Sequence, residues 1–252
     1  MDQKTKALAF KTLHTPGTPV VLYNIWDAGS AKTLEKAGAK ALATGSMSVA
    51  AAQGYADGEK IPMQMLLQIV SRITQTTDLP VSVDFEGGYA VEPDHLAKNI
   101  TQLIETGAVG LNFEDQIVGQ EGLHSLAVQA ERIRAIRHTA TKADVPLVIN
   151  ARTDLFLKAG PEGDHAALIT QASERAIAYQ EAGADSFFVP GLWDLALIQK
   201  ICEASPVPVN VMMRGRLTSL NEAANCGAGR ASYGPGPYFD AMQDLTDRFN
   251  AL

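Results

Sequence analysis

Asp84 and Glu86 stand two residues apart at the end of a β-branched run, 81–85, and Glu114 directly follows a second run, 109–113. Side chains two apart on an extended strand share a face, so both acids are expected on one side, with Glu114 beside them on the neighbouring strand. Three carboxylates without matching lysines repel one another unless a cation or shared protons intervene. Hard oxygen donors suit Mg²⁺, with Mn²⁺ as the other candidate, and no neighbouring His or Cys pair argues for zinc. The competing reading is three ordinary loop acids that cap helices and face water.

Other polar residues fall at matching places. Arg152 emerges from a nearly apolar run, where an unpaired guanidinium is costly. It reads either as a bidentate clamp on a substrate carboxylate or phosphonate, or as a structural partner of Asp154 or Asp115. The segment Thr44-Gly45-Ser46-Met47-Ser48 can present backbone amides to an anion at a helix start. Tyr23, Trp26 and Asp27 follow the first run, Asn210 and Arg214 belong to the seventh, and Gly234 and Gly236 follow the eighth. The expected substrate-binding set is Tyr23, Trp26, Asp27, Gly45, Ser46, Met47, Arg152 and Asn210. Arg152, His124 and Asn210 are the candidates for the chemistry, His124 as a proton carrier on a lid; an exposed loop histidine is the plainer alternative.

Something must bring these positions together. Eight short strand-like runs, at 20–23, 40–43, 81–85, 109–113, 147–150, 186–189, 207–212 and 230–233, alternate with amphipathic helical patterns such as 94–106, 128–139, 165–182 and 217–226. Several runs are almost wholly apolar, as parallel strands buried on both faces require. Four helix ends share one form, Lys36-Ala37-Gly38-Ala39, Glu105-Thr106-Gly107-Ala108, Glu181-Ala182-Gly183-Ala184 and Asn225-Cys226-Gly227-Ala228, each with a glycine placed for a left-handed stop. Eight βα units over 252 residues predict a single (β/α)₈ TIM barrel spanning 1–252, with its chemistry at the C-terminal strand ends. An open doubly wound sheet uses the same alternation, but no Gly-rich dinucleotide fingerprint follows the first strand.

The charge balance excludes other classes. A net charge of −7 without any basic run argues against nucleic acid or an anionic membrane as partner. Residues 1–6 lead into no apolar stretch of signal-peptide or membrane-span length, and the two cysteines, Cys202 and Cys226, fall in helical patterns. A cytoplasmic protein without a disulfide framework is expected.

With these residues in hand the chain resembles the isocitrate lyase and phosphoenolpyruvate mutase superfamily. The matching pieces include Tyr23-Asn24-Ile25-Trp26-Asp27-Ala28, Gly45-Ser46-Met47 through Gly54-Tyr55-Ala56-Asp57, and Val83-Asp84-Phe85-Glu86-Gly87-Gly88-Tyr89. They continue with Asn112-Phe113-Glu114-Asp115-Gln116, Glu131-Arg132-Ile133, Ile149-Asn150-Ala151-Arg152-Thr153-Asp154 and 178–185, in collinear order. The resemblance implies a Mg²⁺ enzyme acting on a small oxo acid or its enolate. It implies that Asp84, Glu86 and Glu114 hold the metal, partly through water, while Arg152 and the amides of Ser46 and Met47 bind carboxylate. It further implies a homo-oligomer, a dimer or tetramer, in which the last helix is exchanged between subunits.

The departures bear on the reaction. Glu86 stands where the family usually has Asp. The lid after the fourth strand, residues 117–126, lacks the Lys-Arg/Lys-Cys-Gly-His motif of the lyases and also the Asn- and Lys-bearing form of the phosphonomutases. The expectation is a lyase cleaving a carbon–carbon bond of a small oxo- or hydroxy-carboxylate through a metal-stabilised enolate. The alternatives are a phosphonomutase or phosphonopyruvate hydrolase, and a barrel that binds an oxo acid without turning it over.

Overall fold

Parallel strands with both faces buried need a helix after each strand to return the chain, and the computed structural model, which describes all residues from Met1 to Leu252, has that pattern throughout. The strands are β1 (Val20–Leu22), β2 (Leu42–Ala43), β3 (Val81–Asp84), β4 (Gly110–Glu114), β5 (Val148–Arg152), β6 (Ser186–Phe188), β7 (Val209–Met212) and β8 (Arg230–Ser232). They form one parallel sheet in the order β1-β8-β7-β6-β5-β4-β3-β2. Just past β1 and β2, Ile25 bridges Thr44 in parallel, its amide donating to the Ala43 carbonyl at 2.8 Å, which joins the two ends of the sheet. The chain is a (β/α)₈ TIM barrel, as the alternation predicted.

The helices are α1 (Gln3–Thr12), α2 (Ala28–Lys36), α3 (Ser46–Ala52), α4 (Met63–Thr76), α5 (Pro93–Glu105), α6 (Leu126–Lys142), α7 (Leu155–Ala159), α8 (Ile169–Glu181), α9 (Leu195–Ala204), α10 (Leu220–Asn225) and α11 (Gly236–Asn250). No helix is long and apolar enough to cross a membrane. The four expected glycine stops close α2, α5, α8 and α10, with φ between +88° and +110° at Gly38, Gly107, Gly183 and Gly227. Cys202 in α9 and Cys226 at the end of α10 are free thiols.

Strand boundaries moved by one or two residues, and two of the shifts matter. β4 runs on to Glu114 and β5 to Arg152, so these two residues are register partners on adjacent strands rather than members of the loops beyond. The helix that precedes the first strand, α1, was not anticipated. Its Phe10 is fully buried and lies against the N-terminal end of the barrel: a side chain at Gly110 would come within 2.9 Å of the Phe10 ring, and the Arg230 guanidinium lies 6.0 Å above it.

Phe10 therefore closes the base of a core built from all eight strands. Truncating a buried phenylalanine leaves a void that the surroundings only partly refill. Phe10→Ala is expected to cost about 3–5 kcal/mol of stability, read from the urea midpoint at unchanged slope.

Candidate active site

At the C-terminal ends of the strands lies a cavity of about 200 Å³. Its wall is formed by Gly45, Ser46 and Met47 at the start of α3, Asp57 from the following loop, Asp84 at the end of β3, and Asn112 in β4. Arg152 at the end of β5, Phe188 in β6, and Met212 and Arg214 at the end of β7 complete most of the circuit. The cavity holds no His, Lys or Cys, and its only carboxylates are those of Asp57 and Asp84.

A ladder of polar side chains fixes Asp84. Its backbone amide donates to Thr44 Oγ1 at 3.0 Å, its Oδ2 accepts from the Ser46 amide at 3.1 Å, and its Oδ1 accepts from Asn112 Nδ2 at 3.4 Å. Asn112 is oriented from behind, because its Oδ1 accepts from Asn150 Nδ2 at 2.8 Å and from Arg230 Nη2 at 2.9 Å. All three of these residues are buried in the barrel interior, where such bonds define a single amide orientation. Asn24 ties the rim together, its Oδ1 accepting from the amides of Tyr233 and Gly234 while its Nδ2 donates to the Thr44 carbonyl.

The three acids are not arranged as strand periodicity suggested. Glu86 lies beyond the end of β3 in a left-handed backbone conformation, φ +50°, which breaks the alternation that would have set it beside Asp84. Its Oε2 accepts instead from the Glu59 amide at 2.8 Å, and Glu59 in turn accepts from the Tyr89 amide, so the 54–60 loop is pinned to the turn after β3. Glu114 points at Arg152, 2.9 Å away, and accepts a hydrogen bond from Gln116. No three His, Cys, Asp or Glu side chains stand close enough together to grip one ion at the same time. Burial, reinforced by Asp84, Asp57 and Glu114, pushes the Glu86 carboxyl up to about 9. Burial raises Glu114 to about 8, with Arg152 opposing the shift and Asp154 and Asp84 adding to it.

Arg152 has Asp154, one of the structural partners its sequence offered, and Glu114 as well. Its Nε and Nη2 donate to the two oxygens of Asp154 at 2.6 and 3.0 Å, and its Nη1 faces Glu114. Burial opposes its charge, but Asp154, Glu114 and Asp84 hold the guanidinium well above its ordinary pKa. It still lines the cavity, with two of its five N–H groups uncommitted. Asp115 secures this arrangement from outside the cavity. It accepts from the Asp154 amide at 2.9 Å, from Arg175 at 2.9 Å and from the Tyr179 hydroxyl at 2.8 Å.

Ser46, Met47, Gly45, Asp84 and Arg152 are thus brought together, with Glu86 and Glu114 close behind. Tyr23, Trp26 and Asp27 are not. Asp27 is consumed as the cap of α2, accepting from the Ser30 amide, while Trp26 packs edge-on against Tyr238 and Tyr23 against Tyr233. His124, its amide bonded to the Asp115 carbonyl, lies in a separate recess with Glu59 and Arg132; burial and Arg132 hold its imidazole below its ordinary pKa. Asn210 is fully buried below the cavity, with neither side-chain atom bonded. Asp57 and Asn112 carry more of the site than their positions in the sequence suggested. Asp57 sits in a loop without any strand signal, and Asn112 reads as one polar residue inside an apolar run.

The raised Glu86 has a consequence for stability. Below about pH 5 both folded and unfolded chains hold its proton, and from there to about 9 only the folded chain does. Unfolding then releases a proton, so stability falls as pH rises through this window. In EDTA the melting temperature is expected to decline from pH 5 to pH 9, and Glu86→Gln, which keeps the acceptor for the Glu59 amide but cannot ionise, should flatten that decline.

The chain and its fold have known counterparts. The family model for phosphoenolpyruvate phosphomutase matches residues 10–252. A crystal structure from Burkholderia cenocepacia J2315, of a protein named only provisionally as a phosphonomutase, is 44% identical, with a TM-score of 0.96 over 99% of both chains. The 2-methylisocitrate lyase of Escherichia coli K12 is 30% identical over 215 residues, 83% of this chain and 70% of that protein. Phosphonopyruvate hydrolase in complex with oxalate and Mg²⁺ shares the fold, with a TM-score of 0.85 at 20% identity over 100% of this chain and 87% of that one. The eight-stranded barrel agrees with this match over nearly the whole chain, which belongs to the phosphoenolpyruvate phosphomutase family within the isocitrate lyase superfamily.

Proposed function

We propose that this protein is a Mg²⁺-dependent lyase that breaks a carbon–carbon bond in a small oxo- or hydroxy-carboxylate. The observation that carries this reading is the Asp84 carboxylate, oriented into a small cavity by Asn112 and the Ser46 amide, across from Arg152. The donor chemistry fits the ion. Mg²⁺ keeps several waters and takes only one or two carboxylates directly, so Asp84, with Asp57 near it and Glu86 and Glu114 behind, is a suitable set even though no three acids converge. Burial, reinforced by neighbouring acids, disfavours the charged forms of Glu86 and Glu114, and a divalent cation would favour them again. Mn²⁺ satisfies the same oxygens. When bound, the ion supplies electrostatic stabilisation for negative charge developing on the substrate oxo group.

The protein's own groups account for the rest. The free N–H groups of Arg152 and the amide of Met47 bind the carboxylate next to the reacting carbon, and Asn112 fixes the acid they face. Asp57, at the open rim, is the cavity group free to accept a proton from a substrate hydroxyl. Phe188, Leu157 and Met212 exclude water from one wall.

A second reading, phosphorus–carbon bond chemistry, is favoured by the 44% identity to the B. cenocepacia protein named for it. The test is a panel of oxaloacetate, 2-methylisocitrate, substituted malates and phosphonopyruvate with Mg²⁺, the last followed by ³¹P NMR. Turnover of one of the carboxylates, abolished by EDTA and reduced at least about a thousandfold in Asp84→Asn, is the expected result. A change at phosphorus alone selects the second reading. Stabilisation by an oxo acid without turnover of any compound would mark a binding protein and overturn both.

We further propose that α11 packs on a second copy of the chain. Its outward residues Met242, Leu245 and Phe249 are exposed, and Val21 of β1 and Tyr23 beside it are also uncovered on the barrel wall. The pair of substitutions Leu245→Glu and Phe249→Glu is expected to reduce an oligomer to a monomer in sedimentation velocity. A monomeric unaltered protein would contradict the proposal.

A further inference from the structure

The two arginines of the cavity differ in how they are used. Arg152 already faces Asp154 and Glu114, whereas Arg214 has no acid partner and no side-chain hydrogen bond, and it lies on the opposite part of the wall. Its neighbours there, Pro190, Met212, Gly234 and Pro235, carry no charge. The cavity is therefore polarised, with Asp57, Asp84 and the neutralised Arg152 on the β3–β5 side and a single uncompensated cation on the β7–β8 side.

Arg214 is exposed, but the turn that carries it is anchored at both ends. Met213 just before it and Leu217 just after are buried, and the turn between them closes by a hydrogen bond from the Leu217 amide to the Arg214 carbonyl. Gly215, at φ +67°, lies against the Trp193 ring, where a side chain would come within 3.3 Å of the indole. The guanidinium rests 5.7 Å above the Phe239 ring of α11, a contact that restrains the arginine while leaving its N–H edge unpaired. A held guanidinium with an open edge is the usual means of gripping a carboxylate or phosphonate in two-point fashion.

We propose that Arg214 is the specificity-determining residue of this cavity, binding a second anionic group of the substrate at the rim between β7 and α11. This rests on the reading of the cavity as the substrate site, with the first carboxylate at Arg152 and the Met47 amide. The substrate class is then a compact oxo acid carrying a further carboxylate or phosphonate on the carbon next to the oxo group or one beyond it. An oxo acid with one anionic group leaves Arg214 unpaired and is a poor ligand.

The test uses three probes on the full-length protein with Mg²⁺, titrated by calorimetry. Oxalate fills only the metal end, while 3,3-difluorooxaloacetate and phosphonopyruvate each extend a second anion, one a carboxylate and one a phosphonate. Arg214→Met should weaken the two extended probes roughly ten- to a hundredfold, the loss of one charge-assisted contact, and leave oxalate within about twofold. Arg214→Lys should restore part of the difference, and the extended probe with the larger loss identifies the natural second group. Equal weakening of all three probes, or no weakening of the extended ones, overturns the role of Arg214. Failure of the unaltered protein to bind oxalate with Mg²⁺ overturns the reading of the site itself, and this inference with it.

Discussion

Four carboxyl groups, Asp57, Asp84, Glu86 and Glu114, are gathered in the mouth of the barrel against their mutual repulsion, and much of the surrounding structure answers that constraint. Two of them are buried at 4% exposure or less, where an unbalanced negative charge is most costly. Arg152 offsets Glu114 and Asp154 directly. Asp115, itself neutralised by Arg175 and bonded to Tyr179, holds the Asp154 amide so that the Arg152 pair keeps its geometry. Burial, reinforced by neighbouring acids, raises Glu86 and Glu114, which lie behind Asp84, the one acid that the cavity presents in a fixed orientation. Hard oxygen donors gathered around a rigid carboxylate suit the cation proposed for this site, which would favour the ionised forms of the raised acids.

The interior of the barrel serves the same end from below. Arg230, Asn150 and Asn112 form a buried relay that terminates on Asp84, so the orientation of an acid at the mouth is set by residues two layers down. α1 seals the base of that layer with Phe10, which keeps the relay away from water and its hydrogen bonds effective. The tie from Glu86 to the Glu59 amide extends the control outward to the 54–60 loop that brings Asp57 to the rim. The extra methylene of Glu86 relative to aspartate gives it the reach for that tie. The departure from the family pattern thus has a local structural use.

The fold was legible because its signals repeat. Eight strand-like runs and four glycine stops of one form each say little alone, and together they permit only a narrow choice of architecture. Asp84 and Arg152 were legible for a related reason, since a charged residue at the end of an apolar strand has few places to go. Glu86 misled because its residue type gives no warning of a left-handed backbone, and the period-two rule holds only while the strand continues. Tyr23, Trp26 and Asp27 were placed by their position after β1, yet helix capping and aromatic packing claimed them. Asp57 and Arg214 reach the cavity through loops whose paths depend on packing against Glu86 and Trp193, and no local sequence pattern encodes that.

The central claim is that Asp84 anchors a divalent cation inside the cavity. It is tested most directly by a crystal structure of the protein grown with Mn²⁺ and oxalate, with anomalous scattering recorded at the manganese edge. The account predicts a single strong peak within direct bonding distance of the Asp84 carboxylate, with oxalate between the metal and Arg152. A cavity that binds oxalate without the metal, or a metal peak that avoids Asp84, would contradict it.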